Sequence, residues 1–260
     1  MKTPFDEAID RIRLRGFHNH RQEDHSDTVS EGIVFDLRRG CAAFRKDEEE
    51  GVVRVWYNVQ SPGDRRRKID LFVGEPLPGS AAPDIKKVRI ALENKSVITA
   101  HRNKTNRFDD LQKTLDAVWA ERSEAVLVAT VLVGLADRVL NVPDRVKVEC
   151  RSRRRAFDLE VRPRLSTGDE SLWTEFEFCV SRNRPGDPAQ TAGLFRTLPT
   201  RSPGHTHVAG YDYVLLVPVF IDNVHPPAIP RPNALGIDVD AEYQRMLEQI
   251  CKAYTARWHL

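Results

Sequence analysis

The sequence has no apolar run of the roughly 18 to 20 residues that a membrane-spanning helix needs. Its first residues also lack the apolar core of a secretion signal. Internal repeats and low-complexity segments are absent as well. Of the 260 residues, 40% are hydrophobic and 30% are charged, which is typical of a globular chain rather than a disordered one. We therefore expect a soluble, cytoplasmic protein.

Cysteine is scarce and widely spaced. The four cysteines are Cys41, Cys150, Cys179 and Cys251, and no two of them form a CxxC pair. Zinc sites and disulfide-rich scaffolds usually show closer or more regular spacing. We predict buried free thiols in a reducing compartment, in preference to zinc ligands or a disulfide framework.

The chain also lacks a large excess of charge of either sign. Its net charge is only +2, so charge alone does not indicate a nucleic-acid-binding protein. The basic residues are nevertheless concentrated in three segments, at 65–68, 101–107 and 151–155. A basic cleft on a nearly neutral protein would attract polyanions. Ordinary solvent-exposed faces are the alternative explanation.

Hydrophobic periodicity and turn residues predict alternating helices and strands. The expected helices cover 4–15, 26–40, a segment starting at Thr105 or Asn106, and one starting at Asp238 or Asp240. The segment 145–161 alternates enough for one or two strands, and 171–180 stays open between helix and strand. The expected strands are 51–60, 66–74, 88–98, 125–133 and 211–220. The order strand, helix, strand from 88 to 133 predicts a crossover between parallel strands.

The strand 88–98 carries an unusual pair of charges. Side chains alternate between the two faces of a strand, so Glu93 and Lys95 project together from a strand whose other face is apolar. Asp70 lies in the middle of the preceding strand. Ionisable groups held near a core need a partner or a function. The pattern therefore indicates a candidate site on two adjacent strands.

These residue types suit metal-dependent phosphodiester hydrolysis. Mg²⁺ prefers oxygen ligands, and Asp70, Glu93 and the main-chain carbonyl of Asn94 can supply three of them. Lys95 can act on the attacking water or hold the phosphate. The structural alternative is a half-exposed strand in which Glu93 and Lys95 pair with neighbours across the sheet.

Asp70, the triplet Glu93-Asn94-Lys95 and the basic segment that follows it at 96–107 resemble the PD-(D/E)xK nuclease superfamily, in particular type II restriction endonucleases. The resemblance covers about residues 50–135. It implies an α/β fold with a central mixed sheet flanked by helices, and Mg²⁺-dependent hydrolysis of double-stranded DNA that leaves 5′-phosphates. It also implies a homodimer on a palindromic site, with a cognate methyltransferase acting on the same sequence.

The family's roles carry over to individual positions. Asp70 takes the place of the first acid, Glu93 the second and Lys95 the lysine. Some members add an acid from an N-terminal helix, and Glu31 is the position that fits. Asp70 follows isoleucine rather than proline, whereas Asp84 follows Pro83 and keeps an alternative claim as the first acid.

The resemblance also implies one nuclease domain over 1–260, with a catalytic core at about 26–135 and DNA-recognition and C-terminal elements at about 136–260. Cations at a helix start suit a phosphate backbone, and arginines in loops suit base edges. The predicted DNA-binding residues are His101, Arg102, Lys104, Arg107, Arg153, Arg154, Arg182, Arg184 and Arg201.

Three functions are compatible with these residues. The first is a sequence-specific DNA endonuclease of the restriction type. The second is a nuclease of the same fold with little sequence preference, acting in phage defence or DNA repair. The third is a DNA-binding protein that keeps the fold without catalysis. A discrete fragment pattern from plasmid DNA would favour the first, a smear the second, and binding without cleavage the third.

Overall fold

The computed structural model describes most of the chain: residues 2–15, 18, 24–60, 68–98, 101–141, 163, 164, 167, 169, 171, 179–231 and 235–259. The predicted DNA-binding residues Arg153 and Arg154 lie outside the described residues, as does Cys150. The same is true of the whole segment 145–161 and of most of 171–180.

The first helix begins where its capping residues predict. The Thr3 main-chain N–H donates to Asp6 Oδ2 at 2.8 Å, and the Asp6 N–H donates back to Thr3 Oγ1 at 3.3 Å. This reciprocal pair satisfies N–H groups that have no partner inside the helix. Phe5, Ile9 and Ile12 fall on one face and are buried. The predicted helix over 4–15 is confirmed.

In the described part of the chain, the α-helices are α1 (Pro4–Arg15), α2 (Asp24–Gly40), α3 (Ala42–Glu49), α4 (Lys104–Glu121), α5 (Asp187–Phe195) and α6 (Val239–Trp258). Asp238 caps α6 by accepting from the Ala241 N–H, as its sequence position indicates. Helix α2 starts before Ser26, because Ser26 lies inside the helix and its hydroxyl bonds elsewhere. Sequence periodicity did not identify α3 or α5.

The described strands are β1 (Arg54–Gln60), β2 (Lys68–Gly74), β3 (Val88–Val97), β4 (Val126–Gly134), β5 (Arg138–Asn141), β6 (Cys179–Arg182) and β7 (Tyr213–Val219). Five of them form a mixed sheet in the order β1-β2-β3-β4-β7, and β5 pairs with β6 in a separate two-stranded sheet. The pairs β1–β2 and β2–β3 are antiparallel, while β3–β4 and β4–β7 are parallel. The predicted crossover through α4 is therefore confirmed.

Helices flank this sheet and close its core. Every residue of β4 is buried, as its continuous β-branched run predicts for a central strand. One apolar cluster extends from Phe5 of α1 to Tyr254 of α6 and includes residues of β2, β3, β4 and β7, while Val55, Trp56 and Val59 of β1 pack against it. The fold is thus mixed α/β with a five-stranded mixed sheet flanked by helices. None of the described helices is long and apolar enough to cross a membrane.

The cysteine prediction needs correction. Cys41 and Cys251 are joined by a disulfide, with their Cα atoms 5.4 Å apart. Sequence spacing did not indicate the bond because 210 positions separate the two residues and only the packing of α6 against α2 and α3 brings them together. The disulfide ties the C-terminal helix to the junction between α2 and α3.

Candidate active site

The site lies where β2 and β3 stop pairing. The antiparallel ladder ends at Leu71 and Leu92, so Asp70 and Glu93 occupy the next positions along the two strands. On its other side β3 continues to pair in parallel with β4, through Glu93 and Lys95 to Val97. The fold therefore brings the two predicted acids together at the centre of a sheet, next to a strand that stays rigidly paired.

Glu93 is a buried carboxylate whose polar atoms are only half satisfied. Its side chain is 4% exposed, against 17% for Lys95, whose ammonium donates to Glu93 Oε1. Oε2 has no hydrogen-bond partner among the described residues. Burial raises the pKa of Glu93 to about 7. Lys95 opposes this shift through its charge and its hydrogen bond, the charge of Asp70 adds to it, and a hydrogen bond from the main chain of Asp70 to the Glu93 carboxylate lowers the pKa.

Asp70 is held at the site by two other elements. Its Oδ2 accepts a hydrogen bond from the main-chain N–H of Asn94 at 2.6 Å. The hydroxyl of Ser26, on α2, also donates to its carboxylate. Burial raises the pKa of Asp70, and the positive charge of Lys95 partly offsets this. Lys95 thus acts electrostatically on both carboxylates.

A buried polar network fixes Asn94 between the sheet and α2. Its side-chain amide donates to Ser30 Oγ at 2.9 Å and to Ser26 Oγ at 3.1 Å, and its Oδ1 accepts from Thr130 Oγ1 at 2.5 Å. Fully bonded networks of this kind hold their members in one arrangement. Sequence reasoning did not find Ser26, Ser30 or Thr130 as supports. The one available signal was the spacing of the two serines one helical turn apart.

On α2, the acid whose charge acts on Asp70 is Asp27 rather than Glu31, and the catalytic role of Glu31 stays a prediction. Glu31 is exposed and acts electrostatically on Tyr57, whereas Asp27 is half-buried and its charge reaches Asp70. Asp27 and Glu31 are one helical turn apart, so periodicity alone could not separate them.

Asp84 has a local structural role. Its carboxylate accepts the main-chain N–H of Lys86 at 3.0 Å and caps a short 3₁₀ helix over Ile85–Lys87. Asp70, by contrast, contacts Asn94 directly and shares the electrostatics of Glu93. This geometry favours Asp70 as the first acid, and the roles of both residues stay predictions.

Several of the predicted DNA-binding residues surround a cavity of about 580 Å³. The residues lining it are His101, Arg102, Lys104, Val180, Ser181, Arg182, Asn183, Arg184 and Asp187. Arg102, Arg182 and Arg184 are exposed, while Lys104 is half-buried and donates to Gln190 Oε1 at 3.1 Å. The 3₁₀ turn at His101–Asn103 and strand β6 bring these cations together. Arg107 lies farther along α4 and pairs with Asp110 at 3.3 Å.

Two predicted DNA-binding residues are buried instead. His101 is 1% exposed, and its ring nitrogens lie 2.7 Å from Thr191 Oγ1 and 2.9 Å from the Gly134 carbonyl oxygen. Burial also lowers the pKa of His101, which disfavours the charged form. Arg201 is enclosed with Asp212. The polar groups of both residues are thus used in the interior, which disfavours contact with DNA, and their DNA-binding roles stay predictions.

The chemistry of the site fits a hard divalent cation. Asp70 and Glu93 offer two carboxylates, and the unpartnered Oε2 of Glu93 is a buried acceptor of the kind that a cation satisfies. Among the described residues, no three His, Cys, Asp or Glu side chains form a ligand cluster. Water and substrate oxygens would therefore complete the coordination, as is usual for Mg²⁺. The Asn94 carbonyl stays a predicted third ligand.

Comparisons with protein-family models, with curated proteins and with solved structures gave no match to this chain.

Proposed function

We propose that the protein is a Mg²⁺-dependent endonuclease of the PD-(D/E)xK type that hydrolyses double-stranded DNA and leaves 5′-phosphates. We further propose that its fold is restriction-endonuclease-like and that it cuts at a specific sequence, as a homodimer. The mixed sheet supports this, since the acids lie where its antiparallel and parallel halves meet.

One observation carries the proposal: Glu93 is buried beside Lys95 and within electrostatic reach of Asp70, yet one of its oxygens is unpartnered. An incompletely satisfied buried carboxylate destabilises the fold unless it binds something. A divalent cation is the simplest partner for two carboxylates. This weakens the structural alternative in which Glu93 and Lys95 only pair with each other.

Each residue then has a role in hydrolysis. Asp70 and Glu93 would hold Mg²⁺, which neutralises phosphate charge and lowers the pKa of a bound water. Lys95 would hold a phosphate oxygen or the attacking water. Asn94 keeps Asp70 in position through its main-chain N–H.

The basic cavity supports DNA as the substrate. In the described part of the chain, Arg102, Arg182 and Arg184 form no ion pair with a carboxylate, so their charges are free to contact phosphates. Helix α4 begins beside them, and its N-terminal N–H groups favour the same negatively charged partner.

The direct test is incubation of supercoiled plasmid with Mg²⁺, comparing the wild type with Lys95→Ala and Glu93→Gln. We expect cleavage by the wild type and a loss of at least about 100-fold in both variants, because each removes a charge that acts on the transition state. Sequencing of the fragment ends identifies the recognition site and the 5′-phosphate. Lys113→Ala, at an exposed position of α4, is the matched control and should cleave normally.

Other outcomes decide between the functions. Binding in a gel shift with intact plasmid in Mg²⁺ and in Mn²⁺ would contradict catalysis and favour the DNA-binding protein. Cleavage without a common end sequence would contradict the specific endonuclease. If the Lys95→Ala variant cleaves plasmid as fast as the wild type does, the active site lies elsewhere.

A further inference from the structure

The two-stranded sheet places two arginines directly opposite each other. Strands β5 and β6 are antiparallel, and their register pairs Arg138 with Arg182. Residues paired in this way project from the same face of a sheet, with Cβ atoms about 4.5 to 5.5 Å apart. Both arginines are exposed, and neither forms an ion pair with a carboxylate in the described part of the chain. We call Arg138 and Arg182 the arginine pair.

The arginine pair is unfavourable for the ladder in which it lies. Like charges in opposed positions destabilise a sheet, whereas opposite charges stabilise it. The register of β5 and β6 contains four residue pairs, so one repulsive pair is a large part of this short ladder. An anion bound between the two guanidinium groups would replace the repulsion with attraction. A phosphate suits this position, because a guanidinium group presents paired N–H donors that match phosphate oxygens.

The ribbon formed by β5 and β6 is anchored to the rest of the fold. Val139 and Leu140 are buried, and the Leu140 N–H donates to the Asp222 carbonyl oxygen at 2.9 Å. Just after β6, the side-chain amide of Asn183 donates to the Ala136 carbonyl oxygen at 2.9 Å. The two strands thus hold the arginine pair in opposed positions before any ligand binds.

Arg182 belongs both to the arginine pair and to the lining of the basic cavity. Four of the described lining residues are Lys or Arg, and one, Asp187, is acidic. The carboxylate of Asp187 already accepts the main-chain N–H of Arg184 at 2.8 Å. The cavity therefore has an excess of positive charge, and Arg138 extends it along the ribbon. Sequence reasoning did not select Arg138, because only the register of β5 and β6 places it opposite Arg182.

The arginine pair lies beyond the carboxyl ends of the parallel strands. Strand β3 carries Glu93 and Lys95 and ends at Val97, shortly before the turn at His101–Asn103. Strand β5 follows shortly after the end of β4. In open α/β sheets, ligands bind outside the carboxyl ends of the strands. A DNA backbone that passes the candidate active site can therefore continue along this edge to the arginine pair.

We infer that Arg138 and Arg182 together hold one phosphate of the DNA backbone, next to the basic cavity. This inference rests on the proposed function, which names DNA as the substrate. The ligand is the phosphodiester group rather than a base, because phosphate contacts position a protein on DNA without reading its sequence. The two guanidinium groups act as one site, so the loss of either one releases the phosphate.

The test measures the binding of duplex DNA by fluorescence anisotropy at several salt concentrations, in EDTA so that the DNA stays intact. We compare the wild type with Arg138→Gln, Arg182→Gln and the double variant. Each neutralised phosphate contributes about 0.9 to the slope of log K against log salt. We expect the slope to fall by about 1 in each single variant. In the double variant it should also fall by about 1 rather than about 2, because both arginines hold the same phosphate.

The matched control combines Arg138→Gln with Arg184→Gln. Arg184 lines the basic cavity but does not face Arg138 across the ribbon. Two separate phosphate contacts are then lost, so the slope should fall by about 2. A wild-type slope in either single variant of the arginine pair would overturn the inference. An additive loss in the double variant of Arg138 and Arg182 would overturn it as well.

The melting temperature of the free protein is an independent readout. Each single variant removes the repulsion, so it should melt about 1 to 2 °C above the wild type in low salt, and high salt should reduce the difference. A lower melting temperature in both variants would show a structural role and overturn the inference. Inorganic phosphate is the second probe. If it stabilises the wild type alone while all variants bind DNA normally, the pair binds free phosphate and the inference is wrong.

Failure of the inference is distinct from failure of the proposed function. If the variants lose DNA binding as expected but the wild type leaves plasmid intact in Mg²⁺ and in Mn²⁺, the phosphate contact stands and the proposed catalysis fails. If the wild type cleaves plasmid and both single variants bind DNA with the wild-type slope, only the role of the arginine pair is wrong.

Discussion

Two regions of this molecule bury charge, and they do so differently. At the centre of the sheet, Glu93 and Lys95 form a pair beside Asp70. Near the start of β4, Asp212 lies between Arg201 and Arg257, and we call these three residues the Asp212 cluster. The side chains of the cluster are 0%, 1% and 2% exposed, so it is buried at least as deeply as Glu93.

The Asp212 cluster is fully bonded by the chain itself. Asp212 accepts from the main-chain N–H of Leu127 at 2.9 Å and from both guanidinium groups. Arg201 also donates to the main-chain oxygen of Ser123 at 2.7 Å and to that of Ala125. These bonds tie the end of α6 and the segment around Arg201 to the loop before β4.

Glu93 is not fully bonded, since one of its carboxylate oxygens has no hydrogen-bond partner among the described residues. Burial also raises the pKa of Glu93 to about 7. A buried charge whose every polar atom is bonded within the chain stabilises a particular fold. A buried charged group with an unbonded polar atom lowers the stability of the fold, and that atom is available to a ligand. The difference separates a structural cluster from a candidate binding site more clearly than burial does.

The largest expected effect comes from breaking the Asp212 cluster. Asp212→Ala leaves two arginines buried without an acid, which should lower the free energy of unfolding by about 3 to 5 kcal/mol. Urea denaturation followed by circular dichroism measures this. Asp212→Asn keeps the shape and should cost less than alanine. A change below about 1 kcal/mol for alanine would mean that the cluster does not hold the fold.

Glu93→Gln should have the opposite effect on stability. Because the pKa of Glu93 is raised, ionising it in the folded protein is unfavourable, and glutamine removes that cost. At pH 8 we expect the variant to be more stable than the wild type by on the order of 2 kcal/mol. At pH 4 the difference should vanish, since glutamate is then protonated in both states. Lower stability at pH 8 would show that Glu93 is satisfied by Lys95 alone.

The raised pKa of Glu93 also predicts a pH dependence in the wild type. From its unfolded value near 4.5 up to about 7, the folded state binds more protons than the unfolded state, so the contribution of this group to stability falls as pH rises. A cation needs the ionised form. Stabilisation by Ca²⁺ should therefore be small at pH 5.5 and increase up to about pH 8. Differential scanning fluorimetry at several pH values, with and without Ca²⁺ in a buffer free of other divalent cations, measures both trends.

The smallest expected effect concerns the exposed arginines, which contrast with the buried Arg201. Arg182→Ala should weaken binding to any DNA sequence and reduce the slope of log K against log salt by about 1, because one phosphate contact is lost. Fluorescence anisotropy at several salt concentrations gives the slope. Arg196, exposed and outside the basic cavity, is the control position. An equal change in Arg196→Ala would mean that the cavity has no special role.

Much of this fold could be predicted from local sequence. Thr3 and Asp6 set the start of α1, and the unbroken apolar run of β4 identified a central strand. Alternation on β3 placed Glu93 and Lys95 on one face, and the hairpin placed Asp70 on the neighbouring strand. Such signals depend on residues close in sequence, so they predict local structure without knowledge of the tertiary packing.

The sequence was least informative where distant residues meet. His101 lies in a basic segment, yet Thr191 and Gly134 enclose it. Arg201 lies in a loop rich in donors, yet Asp212 binds it. Whether Asp27 or Glu31 acts on Asp70 depends on how α2 packs against β2 and β3, because both acids share one helical face.

By itself, the sequence determined the type and the order of the five strands of the main sheet and of α1, α2, α4 and α6. It also determined the chemistry gathered on β3, since side-chain alternation and capping act over a few residues. Only the tertiary structure decided which buried charged groups have a polar atom without a hydrogen-bond partner. Whether a buried carboxylate is satisfied depends on donors from remote segments. That is why Glu93 and Asp212, both buried acids in this sheet region, could be told apart only after the chain had folded.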